Sequence, residues 1–427
     1  MSDQQQDLQQ RLPQQKEEEQ QEEEEEEEME EEEQQELSST NGGEIPSTGH
    51  TLTATTEKHL MDLAHSFRSA VANPSELFTG GILTSANHAF WYPNVHPVHW
   101  VHEVYTQHHF GNYVISNRQT SATIWEDMPV YTRIGMHLLF ATMVDRRLLE
   151  THRLQHLFSE ESLNQGRHFD APESVSYISH FIKTYKIDLT ELLVQDLSQY
   201  ECFNAFFYRK LKEGAREIAD KDDGNVITSA ADSRLCVFDS IDAATKVWIK
   251  GQAFTLENLL QDQEMAQAFD GGSIAIFRLA PQDYHRFHSP VQGSVAKEPV
   301  KIGGTYFTVN PMAVNENLNV FTENVRVVNV INLEQGQQGQ RNAAFDHAVF
   351  VAVGALLVGS IALTGAKDVG NTFKKGDELG YFAYGGSTCI LLFKKGAVQF
   401  DSDLLEHSQN GLETLVRTGE HIGVVRQ

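Results

Sequence analysis

The sequence predicts an α+β protein, with a helical N-terminal region followed by a β-rich domain. Two patterns carry that prediction. Leu60, Leu63, Phe67 and Val71 recur at the spacing of one helix face. After about residue 200 the texture changes to short β-branched runs broken by glycine, which is strand and turn chemistry. The chain has 427 residues, enough for two or three domains and a large core. The expected boundaries are an acidic tail over 1–48, a mostly helical region over 49–200 and a β-rich domain over 201–427.

The tail is a Gln/Glu tract. The net charge is -27, and the first forty residues hold seventeen acids and two bases, so the remainder is near -12. Such a tract buries too little apolar surface to offset its ordering entropy and reads as a solvated tail. With no broad basic stripe, nucleic-acid binding is excluded as a function class. An acidic chain also gains no general attraction to anionic lipid, so membrane contact must be local and apolar. The N-terminus lacks the basic, apolar and cleavage-site regions of a secretory signal and the Arg-rich character of a transit peptide.

Within 49–200, Asp127-Met128-Pro129 reads as a helix cap with proline just inside the first turn. The helix it opens carries Val130, Tyr131, Ile134, Leu138, Leu139, Phe140 and Met143. It fits a buried core helix, or alternatively one that docks on a membrane. His96, His99 and His102, with His108-His109 after them, have helical spacing, but Pro97 interrupts the helix and no His-Glu-x-x-His arrangement is present. They read as surface or packing histidines, and no metal site is expected.

Strands are expected over 236–238, 246–249, 273–277, 306–309 and 325–331, then strand, turn, strand over 369–373, 374–377 and 378–382. Residues 348–366 form a nineteen-residue run without a charge, long enough to span a bilayer. Gly354, Gly359, Ser360, Thr364 and Gly365 interrupt it, so two buried strands joined by a glycine turn fit better. Cys202, Cys236 and Cys389 include no Cys-x-x-Cys pair, which suits a reducing compartment. Cys389 reads as a small buried strand residue.

Three segments could carry chemistry. Gly385-Gly386-Ser387-Thr388 sits between two apolar runs and is either a flexible turn or a bond the chain cuts in itself. A Gly-Ser bond has little steric cover, and glycine allows strained attack geometry. Asp283-Tyr284-His285-Arg286-Phe287-His288-Ser289-Pro290 places two proton-transfer groups in one loop. Ser229-Ala230-Ala231-Asp232 supplies a carboxylate at the start of an apolar run. Asp232, His288 and Ser387 have the residue types of an acid-oriented base and its nucleophile.

These segments, together with Phe203-Asn204-Ala205-Phe206-Phe207-Tyr208-Arg209-Lys210, Tyr306-Phe307-Thr308-Val309-Asn310-Pro311 and Val351-Ala352-Val353-Gly354, resemble the phosphatidylserine decarboxylase family. The resemblance is strong from about residue 200 to the end and weaker back to about 97. It implies that the chain is a zymogen that cleaves itself between Gly386 and Ser387 into a β chain, 1–386, and an α chain, 387–427. It further implies that Ser387 becomes a covalent pyruvoyl group. Asp232 and His288 would serve the cleavage. In turnover the ketone would form a Schiff base with phosphatidylserine presented on a membrane surface. Carbon dioxide and phosphatidylethanolamine would be the products, with His285 as proton donor or carboxylate holder.

The departures from the family pattern are Ala230 for the usual proline, Ser233 after the aspartate and Gln292 for a common aspartate. None removes a proposed catalytic group. The alternatives are a pyruvoyl-dependent decarboxylase of a soluble aromatic amino acid and a non-catalytic lipid-binding relative. A serine hydrolase is weakened by the absence of a Gly-x-Ser-x-Gly elbow. The expected location is cytoplasmic or peripheral on an internal membrane, with room for a homo-oligomer.

Overall fold

A computed structural model describes residues 111–127, 164, 166–247, 254–303, 320–334, 342–354, 360–385 and 387–426. The chain order begins with a hairpin, β1 (Gly111–Asn117) and β2 (Ala122–Asp127), followed by helices α1 (Ser176–Tyr185) and α2 (Phe203–Phe207). Next come β3 (Val226–Thr228), β4 (Ser233–Phe238), α3 (Ile241–Val247), α4 (Leu256–Leu260), α5 (Gln263–Ala268) and β5 (Ser273–Leu279). Short strands β6 (Arg286–His288), β7 (Gly293–Val295) and β8 (Val300–Ile302) lead to α6 (Val320–Glu323), β9 (Arg326–Leu333) and β10 (His347–Gly354). The remainder is β11 (Ile361–Leu363), β12 (Thr372–Phe373), β13 (Glu378–Phe382), β14 (Ser387–Phe393), β15 (Val398–Phe400), α7 (Ser402–Gln409), β16 (Glu413–Val416) and β17 (His421–Val425).

The architecture is α+β, dominated by one large sheet with helices before it. Among the described residues eleven strands join in the order β12-β7-β9-β10-β14-β5-β4-β16-β1-β2, with β8 also on β9. Two three-stranded sheets, β11-β13-β6 and β15-β17-β3, accompany it. Every residue of β5 and β14 is buried, which is why these strands read as continuous apolar runs rather than alternating ones. Around them gather Phe238, Phe277, Phe350, Ile390, Leu392 and many others in one apolar core.

Several expectations meet corrections. Residues 111–127, within the region expected to be mostly helical, form an antiparallel hairpin. Lys246 and Val247 close helix α3 instead of starting a strand. Ile241 and Ala244 of that helix are buried, so its apolar residues follow helical spacing, which the β-branched reading of 246–249 overlooked. The uncharged run 348–366 holds two strands, β10 and β11, but in different sheets. Among the described residues no helix is long and apolar enough to cross a membrane. Residues 1–110, which include the acidic tail, the Leu60–Val71 periodicity and the histidine cluster, lie outside the described residues. So do the helix expected after Pro129, the strand over 306–309 and Gly386.

Sheet register assembles the site. Ser387, the first residue of β14, lies opposite Gly354 at the end of β10 and Leu279 at the end of β5. Arg278 faces Arg234 near the start of β4, and Ser233 faces Val416 at the end of β16. One edge of the sheet therefore gathers Ser387, the histidine loop that follows β5, Asp232 just before β4 and Thr418 just after β16.

Candidate active site

Ser387 is fully buried, and its Oγ has no hydrogen-bond partner among the described residues. A sealed hydroxyl without a partner forfeits free energy, and a catalytic role is one physical reason for a fold to keep such a group. Before it, Gly385 has φ 137°, a conformation that a side chain disfavours. The turn is pinned from helix α2: Asn204 Oδ1, itself buried, accepts the Tyr384 backbone N–H at 2.8 Å.

His285 is fully buried beside this turn, its ring centroid 4.0 Å from that of Phe207. Its Nδ1 faces the Asp283 carbonyl at 3.1 Å, so Nδ1 carries the proton and donates. Nε2 has no partner at hydrogen-bond geometry among the described residues. Burial pushes the imidazole down to about 3; the Asp283 and Gly385 backbones oppose this but do not offset it. His285 is therefore neutral at physiological pH.

Asp232 and His288 do not hydrogen-bond to each other. The Asp232 carboxylate takes Arg216 in a fork, Nε to Oδ1 at 2.9 Å and Nη2 to Oδ2 at 2.6 Å, and the Thr418 N–H at 2.9 Å. Burial works against its charge, yet the Arg216 bonds and charge outweigh burial and hold the carboxyl below its usual value. His288 Nδ1 faces the Gly376 carbonyl at 2.8 Å, and Nε2 faces the Tyr284 hydroxyl at 3.0 Å. Burial lowers the pKa of His288 as well, with Asp232 and Glu378 opposing.

A charged brace supports the loop from the other side. Arg234 pairs with Glu126 of β2 and with Asp283, while Arg278 holds Glu413 at 2.5 Å. Asp283 also accepts the Ala280 N–H at 2.7 Å, closing the turn after β5. Burial raises its carboxyl to about 6 against the pull of Arg234. Arg209 donates to the Gln282 and Asp283 carbonyls at 3.0 and 3.2 Å, fixing the same turn from the end of the aromatic motif.

A cavity of about 420 Å³ opens beside this network, lined among others by Arg209, Arg216, Asp232, Asp283, Tyr284 and Glu420. Ser387 and His285 do not line it, so the Ser387 hydroxyl and the His285 imidazole stand apart from that cavity. Among the described residues no group of His, Cys, Asp or Glu is arranged to hold a metal ion.

Of the residues expected from sequence, the structure places His285 beside the Gly385 turn and Asp232 and His288 along the same sheet edge. It does not link Asp232, His288 and Ser387 by hydrogen bonds. Sequence reasoning missed Arg216, Tyr284 and the Gly376 carbonyl. Tyr284 lay in plain view between Asp283 and His285, whereas Arg216 sits in a polar stretch indistinguishable from a solvated loop.

Fold and site together define a class: mixed α+β proteins with a sealed serine opening a central strand and a two-histidine loop on the neighbouring strand end. The phosphatidylserine decarboxylase family model matches residues 203–424. Phosphatidylserine decarboxylase proenzyme 2 of Komagataella phaffii is 45% identical over 316 residues, covering 73% of this chain and 30% of that protein. Proenzyme 2 of Oryza sativa subsp. japonica is 39% identical over 365 residues, 82% of this chain and 55% of its own. The proenzyme of Chlamydia muridarum is 38% identical over 312 residues, 72% of this chain and 95% of the bacterial one. This chain belongs to the phosphatidylserine decarboxylase family. It spans about a third of the length of the Komagataella relative and nearly all of the Chlamydia one.

Proposed function

We propose that the chain is a self-cleaving phosphatidylserine decarboxylase, acting on the serine headgroup of a lipid at a membrane surface. The observation that carries this reading is the buried, unpartnered Ser387 Oγ directly after Gly385-Gly386, on a strand beside the histidine loop. The relatives' description as proenzymes supports the cleavage, and their substrate name supports phosphatidylserine.

For cleavage, Ser387 Oγ attacks the Gly386 carbonyl and the amide becomes an ester. Loss of the Ser387 α-proton and elimination of the Gly386 carboxylate then separate the β chain, 1–386, from the α chain, 387–427, leaving a dehydroalanine that water converts to the pyruvoyl group with release of ammonia. His288 is the proton acceptor, and Nε2 is its basic atom because Nδ1 is committed to the Gly376 carbonyl. Asp232 keeps a negative charge near that imidazole, held ionised by Arg216.

The residues present fit a pyruvoyl group at position 387, since Ser387 is sealed from bulk solvent and the buried His285 stands beside the adjoining Gly385 turn. Such a group supplies the electron sink that loss of an α-carboxylate requires. His285, kept neutral by burial, offers Nε2 for proton transfer during turnover. The enzyme would approach lipid peripherally.

Intact mass analysis of purified protein tests the reading. Two chains are expected, the smaller beginning at position 387 and lighter than its unmodified sequence by one ammonia. Ser387→Ala should remain a single chain. Carbon dioxide release should follow with phosphatidylserine vesicles and be absent with free tryptophan. A single uncut wild-type chain would sink the cleavage, and turnover of tryptophan alone would sink the substrate.

A further inference from the structure

We infer that Tyr284 is a positioning residue for self-cleavage: its hydroxyl, with the Gly376 carbonyl, fixes the plane, tautomer and proton affinity of His288. The inference rests on the reading that His288 serves cleavage at Ser387, and it adds a hydrogen-bonding anchor to the charge that Asp232 supplies.

The geometry assigns the protons. A carbonyl oxygen can only accept, so the 2.8 Å contact between Gly376 and His288 Nδ1 requires Nδ1–H. In the neutral ring Nε2 then has a lone pair, and Tyr284 O–H donates to it at 3.0 Å. The two rings lie 33° apart with centroids 5.5 Å from each other, and Tyr284 is itself 6% exposed. An aspartate that oriented the imidazole would accept from Nδ1. Here both oxygens of Asp232 are taken by Arg216 and Thr418, and Nδ1 is taken elsewhere.

The second anchor is equally well built. The Gly376 turn is tied down by Lys375, whose Nζ donates to the Asp220, Asp223 and Val226 carbonyls at 2.7, 2.9 and 3.3 Å. Backbone bonds from Gly376 N–H to the Ser289 carbonyl and from Ser289 N–H to the Asp377 carbonyl lock the turn to the loop. His288 is thus held from two sides by groups that cannot themselves take its proton at neutral pH. The charged groups around it are Asp232 before β4, Arg286 on β6 and Glu378 on β13, none of them hydrogen-bonded to the ring. Tyr284 and Gly376 alone make ring bonds among the described residues.

A donor on Nε2 favours the neutral ring, so removing it raises the proton affinity of His288. Tyr284→Phe deletes only the hydroxyl. Two measurements test the assignment. In the uncleaved Ser387→Ala chain with 15N-labelled histidine, the His288 signals, assigned by loss in His288→Gln, should show a protonated Nδ1 and a bare Nε2. Adding Tyr284→Phe should move the titration of those signals upward by about one pH unit. In the cleavage-competent chain, Tyr284→Phe should slow processing roughly tenfold and move the acid limb of its pH profile upward by the same amount.

A merely structural tyrosine would slow processing without moving the limb. An unmoved limb, faster processing in Tyr284→Phe, or an Nε2–H tautomer in the Ser387→Ala chain would overturn the inference. The tautomer needs no folded Tyr284→Phe protein. A wild-type chain that never cleaves while showing the expected tautomer would remove the cleavage reading and leave the hold on His288 intact.

Discussion

Replacing Arg216 with methionine tests whether Asp232 is a buried charge that depends on one cation. Arg216 makes the fork to Asp232 at 2.6 and 2.9 Å and reaches Glu191 at 3.0 Å. Asp232 is 9% exposed and would keep only the Thr418 N–H at 2.9 Å. Breaking a buried pair from one side costs about 3–5 kcal/mol, because the partner charge is left uncompensated. The sign follows from the carboxyl. With Arg216 its folded pKa lies below the unfolded value of 3.8, so the pair's stabilisation is present above that pH and lost on acidification. Without Arg216 burial pushes the folded pKa above the unfolded one, so the penalty grows as pH rises. Urea unfolding of Ser387→Ala protein at pH 5 and pH 7 should therefore show a larger loss for Arg216→Met at pH 7. Arg216→Met/Asp232→Asn should lose less than the sum of the two single changes. An equal loss at both pH values, or one under about 1 kcal/mol, would mean that solvent compensates Asp232.

Two further outcomes are expected. His285 has a folded pKa of about 3 against 6.5 unfolded, so only the unfolded chain takes its proton in that window and stability falls as pH drops from 6.5. Asp283, raised to about 6, pulls the other way between 6 and 3.8; urea midpoints of His285→Phe should therefore drop less between pH 6.5 and 4 than those of the parent. Gly376 has φ +87°, and an added Cβ would lie 2.6 Å from Ile218 Cγ1. Gly376→Ala should cost about 1–3 kcal/mol by thermal or urea unfolding, with Ile218→Ala relieving the contact but not the backbone strain.

The sequence alone determined the large features of this protein. β-branched runs such as 273–277 and 325–331 became β5 and β9, because strand preference and burial are written locally in residue type. The two glycines before Ser387 and the paired histidines are likewise legible in residue type, and they carry the proposed site. Local pattern failed at Lys246 and Val247, which close a helix, and at 111–127, where a hairpin stands within a region expected to be mostly helical.

Only the tertiary structure decided how the site is wired. Asp232 answers to Arg216 and to Thr418, 186 residues on, and His288 to Gly376, 88 residues on. Such partners are chosen by sheet register and turn packing, which no window of the sequence contains. The protonation of His285 is likewise set by complete burial under Phe207, since desolvation depends on every chain segment that excludes water. Residue types suggest the chemistry, and long-range packing determined which hydrogen-bond partners each of these residues has.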